Sequence, residues 1–127
     1  MDGETIQYPL LEIDLDKLKH NLAALNERCQ SCSVEVAGVI KGFTALPEIV
    51  RTYTECGIRC LASSRIGHLR ALCASGIECE RFLIRIPMRS ELREVAAYAD
   101  MSLASDLETL RMLHAECARQ RRRHKVI

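Results

Sequence analysis

Two hydrophobic rhythms alternate along this chain. Short, nearly continuous apolar runs are followed by stretches in which apolar residues return every three or four positions. The runs are Val34-Glu35-Val36-Ala37-Gly38-Val39-Ile40, Ile58-Arg59-Cys60-Leu61-Ala62, Phe82-Leu83-Ile84, Met101-Ser102-Leu103-Ala104 and the final Val126-Ile127. Their β-branched residues and lack of polar alternation suit parallel strands covered on both faces. Between them the spacing predicts a helix over about Pro47 to Cys56 carrying Ile49, Val50 and Tyr53, and a second helix with Ile66, Leu69 and Leu72 that stops at Gly76. A short helix opening at Ser90 follows, with Leu92, Val95 and Ala96. The last begins at a Ser105-to-Glu108 capping box and packs Leu107, Leu110 and Leu113 before ending near Arg121. Upstream, Asp14 caps a helix whose apolar stripe is Leu15, Leu18, Leu22 and Leu25, preceded by an extended segment from Tyr8 to Ile13.

The junctions Cys56-Gly57-Ile58 and Ser75-Gly76-Ile77 repeat one device, a helix, a glycine stop and an apolar start to the next strand. Strand centres recur at roughly 20 to 24 residues, the period of a βα unit. The class is therefore α/β, with a parallel sheet and helices outside it. A closed (β/α)₈ barrel needs about 250 residues, whereas this chain has 127. Residues 1–127 are thus expected to form a single domain amounting to about half a barrel, truncated at its end. Half a barrel leaves edge strands unpaired, so self-association into a homo-oligomer is expected.

Charge narrows the partners. Lysine and arginine total 18 against 17 acidic residues, a net charge of +1, which favours neither nucleic acid nor a membrane surface. The basic run Arg119 to Lys125 complements a helix C-terminus and lacks the aromatic platforms of a nucleic-acid site. No stretch is long enough to span a bilayer and the acidic start is no secretory leader, so a cytoplasmic location is expected. Seven cysteines then read as reduced thiols, several packing as small hydrophobes. Cys29-Gln30-Ser31-Cys32 has redox or zinc spacing, but without a second pair or nearby histidines it reads as the end of a helix, and no metal is expected. His20, His68 and His114 read as surface groups.

Chemistry concentrates at Lys41. It closes the first apolar run, and Gly42 beside it is expected to let the backbone turn toward Pro47, the first residue of the following helix. On position alone Lys41 is a solvated gatekeeper. Yet the carboxyl end of a parallel strand is also where α/β folds place ligands, and partial desolvation there favours the neutral, nucleophilic amine.

The order of elements supplies a second ground. Leu11-Glu12-Ile13-Asp14-Leu15-Asp16 with Leu18 and Asn21, then Gly38-Val39-Ile40-Lys41, Ser64-Arg65-Ile66, Leu83-Ile84-Arg85-Ile86-Pro87-Met88 and Ala99-Asp100-Met101-Ser102-Leu103 running into Glu108, together resemble the N-terminal part of the alanine/ornithine racemase family. That resemblance implies a pyridoxal-phosphate-binding (β/α)₈ barrel, with Lys41 holding the cofactor as a Schiff base and acting as one of two bases in racemising an amino acid. It departs from alanine racemases proper after the lysine, where a tyrosine and Gly-His-Gly give way to Gly42-Phe43-Thr44-Ala45. A basic or polar amino acid is therefore the expected substrate. The second base and the group facing the pyridine nitrogen are expected in segments beyond those present here.

Three more residues are candidates for binding the cofactor. Ser64 and Arg65 close the second strand, where Arg65 either holds an anionic group or pairs with solvent or a neighbour such as Glu55. Arg85 interrupts an apolar run, and either faces the barrel mouth with a charged partner or snorkels past the helices. The alternatives to a racemase are a pyridoxal-phosphate carrier of the single-barrel kind and an inert, self-associating fragment.

Overall fold

A computed structural model describes residues 8–127. Five βα-type units follow one another: α1 (Leu15–Gln30), β1 (Ala37–Val39), α2 (Pro47–Glu55), β2 (Cys60–Ser63), α3 (Ile66–Ala74), β3 (Glu80–Leu83), α4 (Leu92–Tyr98), β4 (Met101–Ser102), α5 (Leu107–Gln120) and β5 (Lys125–Val126). All strand pairs are parallel and the sheet order is β1-β2-β3-β4-β5. This is the sequential α/β arrangement that the hydrophobic rhythm predicts. The strands do not coincide with the apolar runs: β1 leaves out Val34 to Val36 and Ile40, β2 leaves out Ile58 and Arg59, and β3 starts at Glu80, two residues before Phe82, and leaves out Ile84.

Register sorts the side chains. Val39, Ala62, Phe82, Met101 and Lys125 stand side by side across the sheet. Ser63, Leu83, Ser102 and Val126 form the neighbouring row, and the two-residue period puts the two rows on opposite faces. The face holding Leu61 and Leu83 packs on the helices. Ile40, Leu61 and Leu83 are fully buried there with Leu69, Leu72, Val95, Leu113 and Cys117. Each such side chain contributes about 1.5–3 kcal/mol relative to exposure. On α1 only Leu22 is buried, with Leu18 packed beside it, while Leu15 and Leu25 stay exposed. The predicted stripe is thus covered along half its width. Burial pushes the Cys60 thiol up to about 11 and raises that of Cys117, so these cysteines stay protonated and pack as hydrophobes.

Helix ends follow their capping chemistry. Asp14 Oδ1 accepts from the amides of Asp16 and Lys17 at 3.1 and 3.0 Å. After α2, Gly57 (φ +83) donates to Thr54 and Ile58 to Tyr53, the paired bonds of a Schellman stop. Gly76 (φ +68) ends α3 in the same left-handed conformation. The expected Ser105 capping box is corrected. Asp106 caps α5 by accepting from Thr109 N–H at 2.7 Å, which moves Glu108 one position earlier in the helix and lets it pair with Arg89 at 2.8 Å.

A polar knot ties the amino ends of β3 and β4 to the approach to β5. Asp100 accepts from Arg81 N, Nε and Nη2, each at 2.9 Å, and from Arg122 Nη2 at 2.8 Å. Burial alone would raise the Asp100 carboxyl, but the Arg81 bonds and the Arg122 charge outweigh it and hold it below the ordinary 3.8. His124 bonds Ser102 Oγ through Nε2 at 2.8 Å and reaches the Ala99 carbonyl through Nδ1 at 3.2 Å. Because a carbonyl only accepts, the proton sits on Nδ1 and Nε2 accepts from the serine. Burial depresses His124 below the ordinary 6.5.

Two outcomes follow. Gly38 faces α2, where an added Cβ would overlap the Tyr53 ring, standing 2.8 Å from Cε1, and lie 3.1 Å from Ile58 Cγ2. Gly38→Ala should cost about 1–3 kcal/mol in urea unfolding, with part of the loss recovered by Tyr53→Leu. Acid should act in two steps. The folded histidines His124 and His68 are depressed, so their contribution is complete above 6.5 and lost as pH falls below it; the depressed Asp100 contributes above 3.8 and is lost below that. Urea midpoints should be level between about pH 7 and pH 8 and fall toward pH 5. In His124→Gln that first decline should shrink, while the second persists.

Candidate active site at the carboxyl edge of the sheet

Lys41 leaves the sheet one residue after Ile40, whose amide still donates to Ala62 across the ladder at 2.9 Å. A 3-10 turn takes Lys41 to Phe43. Thr44 (φ 54, ψ 31) and Ala45 (φ 57) then lie consecutively in the left-handed region. Ala45 N–H returns to the Ile40 carbonyl at 3.1 Å and Leu46 N–H to Phe43 at 3.2 Å, after which Pro47 starts α2. The expectation that Gly42 makes this turn is corrected. The positive φ angles belong to Thr44 and Ala45, and a Cβ at Gly42 would meet nothing within 4 Å. Phe43 packs on Tyr53 with ring centroids 5.7 Å apart and planes at 44°.

The side chain of Lys41 is exposed rather than partly desolvated as expected, because the chain leaves the sheet before reaching it, and its lack of a partner sets it apart from the other lysines. Lys17 holds Asp14 at 3.4 Å, Lys19 holds Glu55 at 2.9 Å and Lys125 holds Glu80. Among the described residues no carboxylate pairs with Lys41. The carboxylates beside Lys19 and Lys125 raise those two ammonium groups above the ordinary 10.5.

Register brings the other candidates to the same edge. Ser64 follows β2 as Lys41 follows β1, two residues beyond the paired Val39 and Ala62. Arg65 stands at the N-cap position of α3 without a side-chain cap, its backbone N–H donates to Ser63 Oγ at 3.1 Å, and its side chain is exposed with no carboxylate partner among the described residues. The suggested partner Glu55 is taken by Lys19. Arg85 lies past the end of β3 and is fully engaged. Its Nε donates to the Ser64 carbonyl at 2.6 Å, Nη2 to Glu91 Oε2 at 2.7 Å, and Nη1 to the other Glu91 oxygen and to Ile86. The charged partner that the first alternative required is present as Glu91, but Leu83 faces the helices and Arg85 clamps the loops after β2 and β3 together. Glu91 is nearly buried and also accepts from Met88 N–H at 2.9 Å. The Arg85 bonds hold its carboxyl below the usual range despite burial.

Two features escape sequence reasoning. Glu91 sits six residues from Arg85, where nothing in the pattern signals a partner. His68, expected at the surface, bonds the fully buried Ser63 Oγ through Nδ1 at 3.0 Å, and burial with the nearby Arg65 charge lowers its pKa. His20 and His114 are exposed, as expected. Cys29 and Cys32 lie at the end of α1 and just beyond it, both as free thiols.

The chain is 32% identical over 120 residues to the ornithine racemase of Acetoanaerobium sticklandii, and 30% identical over 120 residues to the lysine racemase of Thermotoga maritima. Each likeness covers 94% of this chain and 33% or 34% of the relative, so the chain spans about a third of their length. Among solved structures, D-threonine aldolase from Filomicrobium marinum superposes with a TM-score of 0.81 at 18% identity, over 95% of this chain and 34% of that one. PipY of Synechococcus elongatus, solved with pyridoxal phosphate bound, gives a TM-score of 0.71 at 16% identity over 83% and 52%. These two show a shared fold. The family model for the N-terminal domain of alanine racemase matches residues 13–127, and the chain belongs to that family.

Proposed function

We propose that this chain is the cofactor-carrying part of a pyridoxal-phosphate-dependent amino-acid racemase, with Lys41 as the residue that holds the cofactor and serves as one of the two bases. The observation that carries the reading is the contrast among the four lysines. Lys41 alone has no carboxylate partner among the described residues, and it emerges where a parallel α/β sheet presents its ligands. An unpaired amine on a rigid strand end fits an aldehyde cofactor, since only the neutral form attacks and no ion pair must first be broken.

When bound, pyridoxal phosphate supplies an electron sink that makes the proton on the substrate Cα acidic. Lys41 takes or returns that proton on one face. Arg65, exposed at the neighbouring strand end, is suited to a phosphate or a substrate carboxylate. The Arg85–Glu91 clamp fixes the Ser64 carbonyl and so shapes the loop that presents Arg65. Ornithine and lysine racemases as relatives favour a basic amino acid as substrate. The fold shared with PipY supports the second reading, a carrier that holds the cofactor without turnover.

Treatment with pyridoxal phosphate near pH 8 and borohydride, followed by peptide mass mapping, should place the pyridoxyl group on Lys41, and Lys41→Ala should lose it. A passive surface reaction would instead favour Lys17, whose side chain is 83% exposed. Lys19 and Lys125 should lag, because a raised pKa leaves less neutral amine at a given pH. Label distributed by exposure would sink the reading. Exchange of a substrate's α-hydrogen in heavy water separates racemase from carrier. Removing the clamp by Glu91→Ala should lower stability by about 2 kcal/mol, since Arg85 is left half-buried without its partner, and Glu91→Gln should lose less.

A further inference from the structure

The turn that bears Lys41 is strained at two consecutive residues, and one of them, Thr44, is β-branched. A non-glycine residue in the left-handed region is disfavoured, more so when β-branched, and such conformations persist only where the surroundings over-determine them. Among the described residues the other left-handed non-glycine residues, Ser33 and Arg121, stand singly just beyond or at the C-termini of α1 and α5, where helices ordinarily end that way. Gly42, which would tolerate the conformation at no steric cost, is not placed in it.

What over-determines the turn can be followed residue by residue. Ala45 is buried and bonded back to Ile40, so its position is fixed by the core. Phe43 rests on the Tyr53 ring. Tyr53 in turn occupies the space left by the missing side chain of Gly38, two residues before Ile40 on the same face of β1. The packing runs from β1 through α2 and back to the turn between them, with Lys41 at its head.

We infer that Phe43 and Tyr53 are positioning residues: they hold the strained Thr44–Ala45 pair in place, and that pair fixes where the Lys41 amine stands. This rests on the reading of Lys41 as the cofactor-holding residue. Without the ring of Tyr53, the strained pair relaxes to a commoner conformation and carries Lys41 away from its place. Glycine at position 44 removes the strain, so a turn without its brace no longer has reason to relax.

The test measures the rate of borohydride-trapped pyridoxyl attachment at Lys41 relative to Lys17 on the 127-residue protein, together with the urea midpoint. Tyr53→Leu should lower the Lys41:Lys17 ratio on the order of tenfold, as expected when a reacting group is displaced. Tyr53→Phe, which keeps the ring, should stay within about twofold of wild type. Tyr53→Leu with Thr44→Gly should recover most of the ratio, and Thr44→Gly alone should raise the midpoint or leave it level. Loss of global stability alone would not be repaired in this selective way. Should Tyr53→Leu fail to fold, Phe43→Leu replaces it as the brace-removing variant with the same expectations. An unchanged ratio in the folded brace-removing variant, no recovery on adding Thr44→Gly, or a lowered midpoint in Thr44→Gly would each overturn the inference. Absence of any Lys41 preference in the wild type would instead remove the functional reading beneath it, and the inference with it.

Discussion

Everything in this fold depends on a parallel sheet having one face covered by the helices that connect its strands. Parallel neighbours cannot be joined by a tight turn, so each strand must be followed by a crossing element. Burial of Ile40, Leu61 and Leu83 against Leu69, Leu72, Val95 and Leu113 makes those crossings favourable. Once the helix-facing set is fixed, the two-residue period assigns every other strand side chain to the opposite face. It also sets where the chain leaves each strand. Lys41, Ser64 and Arg65 arrive at one edge as a consequence of register.

The strands, the helices and their order were legible because each rests on a repeating pattern. Gly57 and Gly76 were legible too, since a left-handed stop strongly prefers glycine and both sit where an apolar helix face ends. Local competition was harder to read. Ser105 and Asp106 are both good caps, and only the observed bond to Thr109 decides between them. The turn after Lys41 misled for a related reason. Glycine is the residue expected to absorb a difficult conformation, yet packing places the difficulty on Thr44 and Ala45, and packing has no sequence signature. Arg85 was conspicuous as a charge in an apolar run, but its partner Glu91 lies on a short 3-10 turn whose geometry no periodicity describes.

The same limit applies to the histidines. A histidine on a helix, like His68, or in a basic run, like His124, looks like a surface group until the sheet puts a buried serine within reach of it. Ser63 and Ser102 stand in one row of the sheet and each bonds a histidine, His68 and His124. Strand serines in a helix-facing row need partners because a buried hydroxyl without one is costly. Had the row been read as helix-facing in advance, the need for those partners was available from the sequence. Which residues would meet it was not.

Charge is distributed unequally between the two ends of the sheet. At the amino ends of the strands, Arg81, Asp100 and Arg122 are bonded together and Glu80 is paired with Lys125. At the carboxyl ends, Lys41 and Arg65 have no carboxylate partner among the described residues, while Arg85 is engaged by Glu91 in supporting the loop beside them. Ion pairs that share several hydrogen bonds serve a rigid end, since breaking one leaves a half-buried charge uncompensated. In the proposed function, cations without partners serve the end where an anion or an electrophile binds, since pairing them internally would have to be undone first. The (β/α) architecture separates these two demands in space, with stability at the strand beginnings and reactivity at their ends. The strained turn under Lys41 belongs to the second category, because its own conformational preference is unfavourable and the neighbouring core compensates for it.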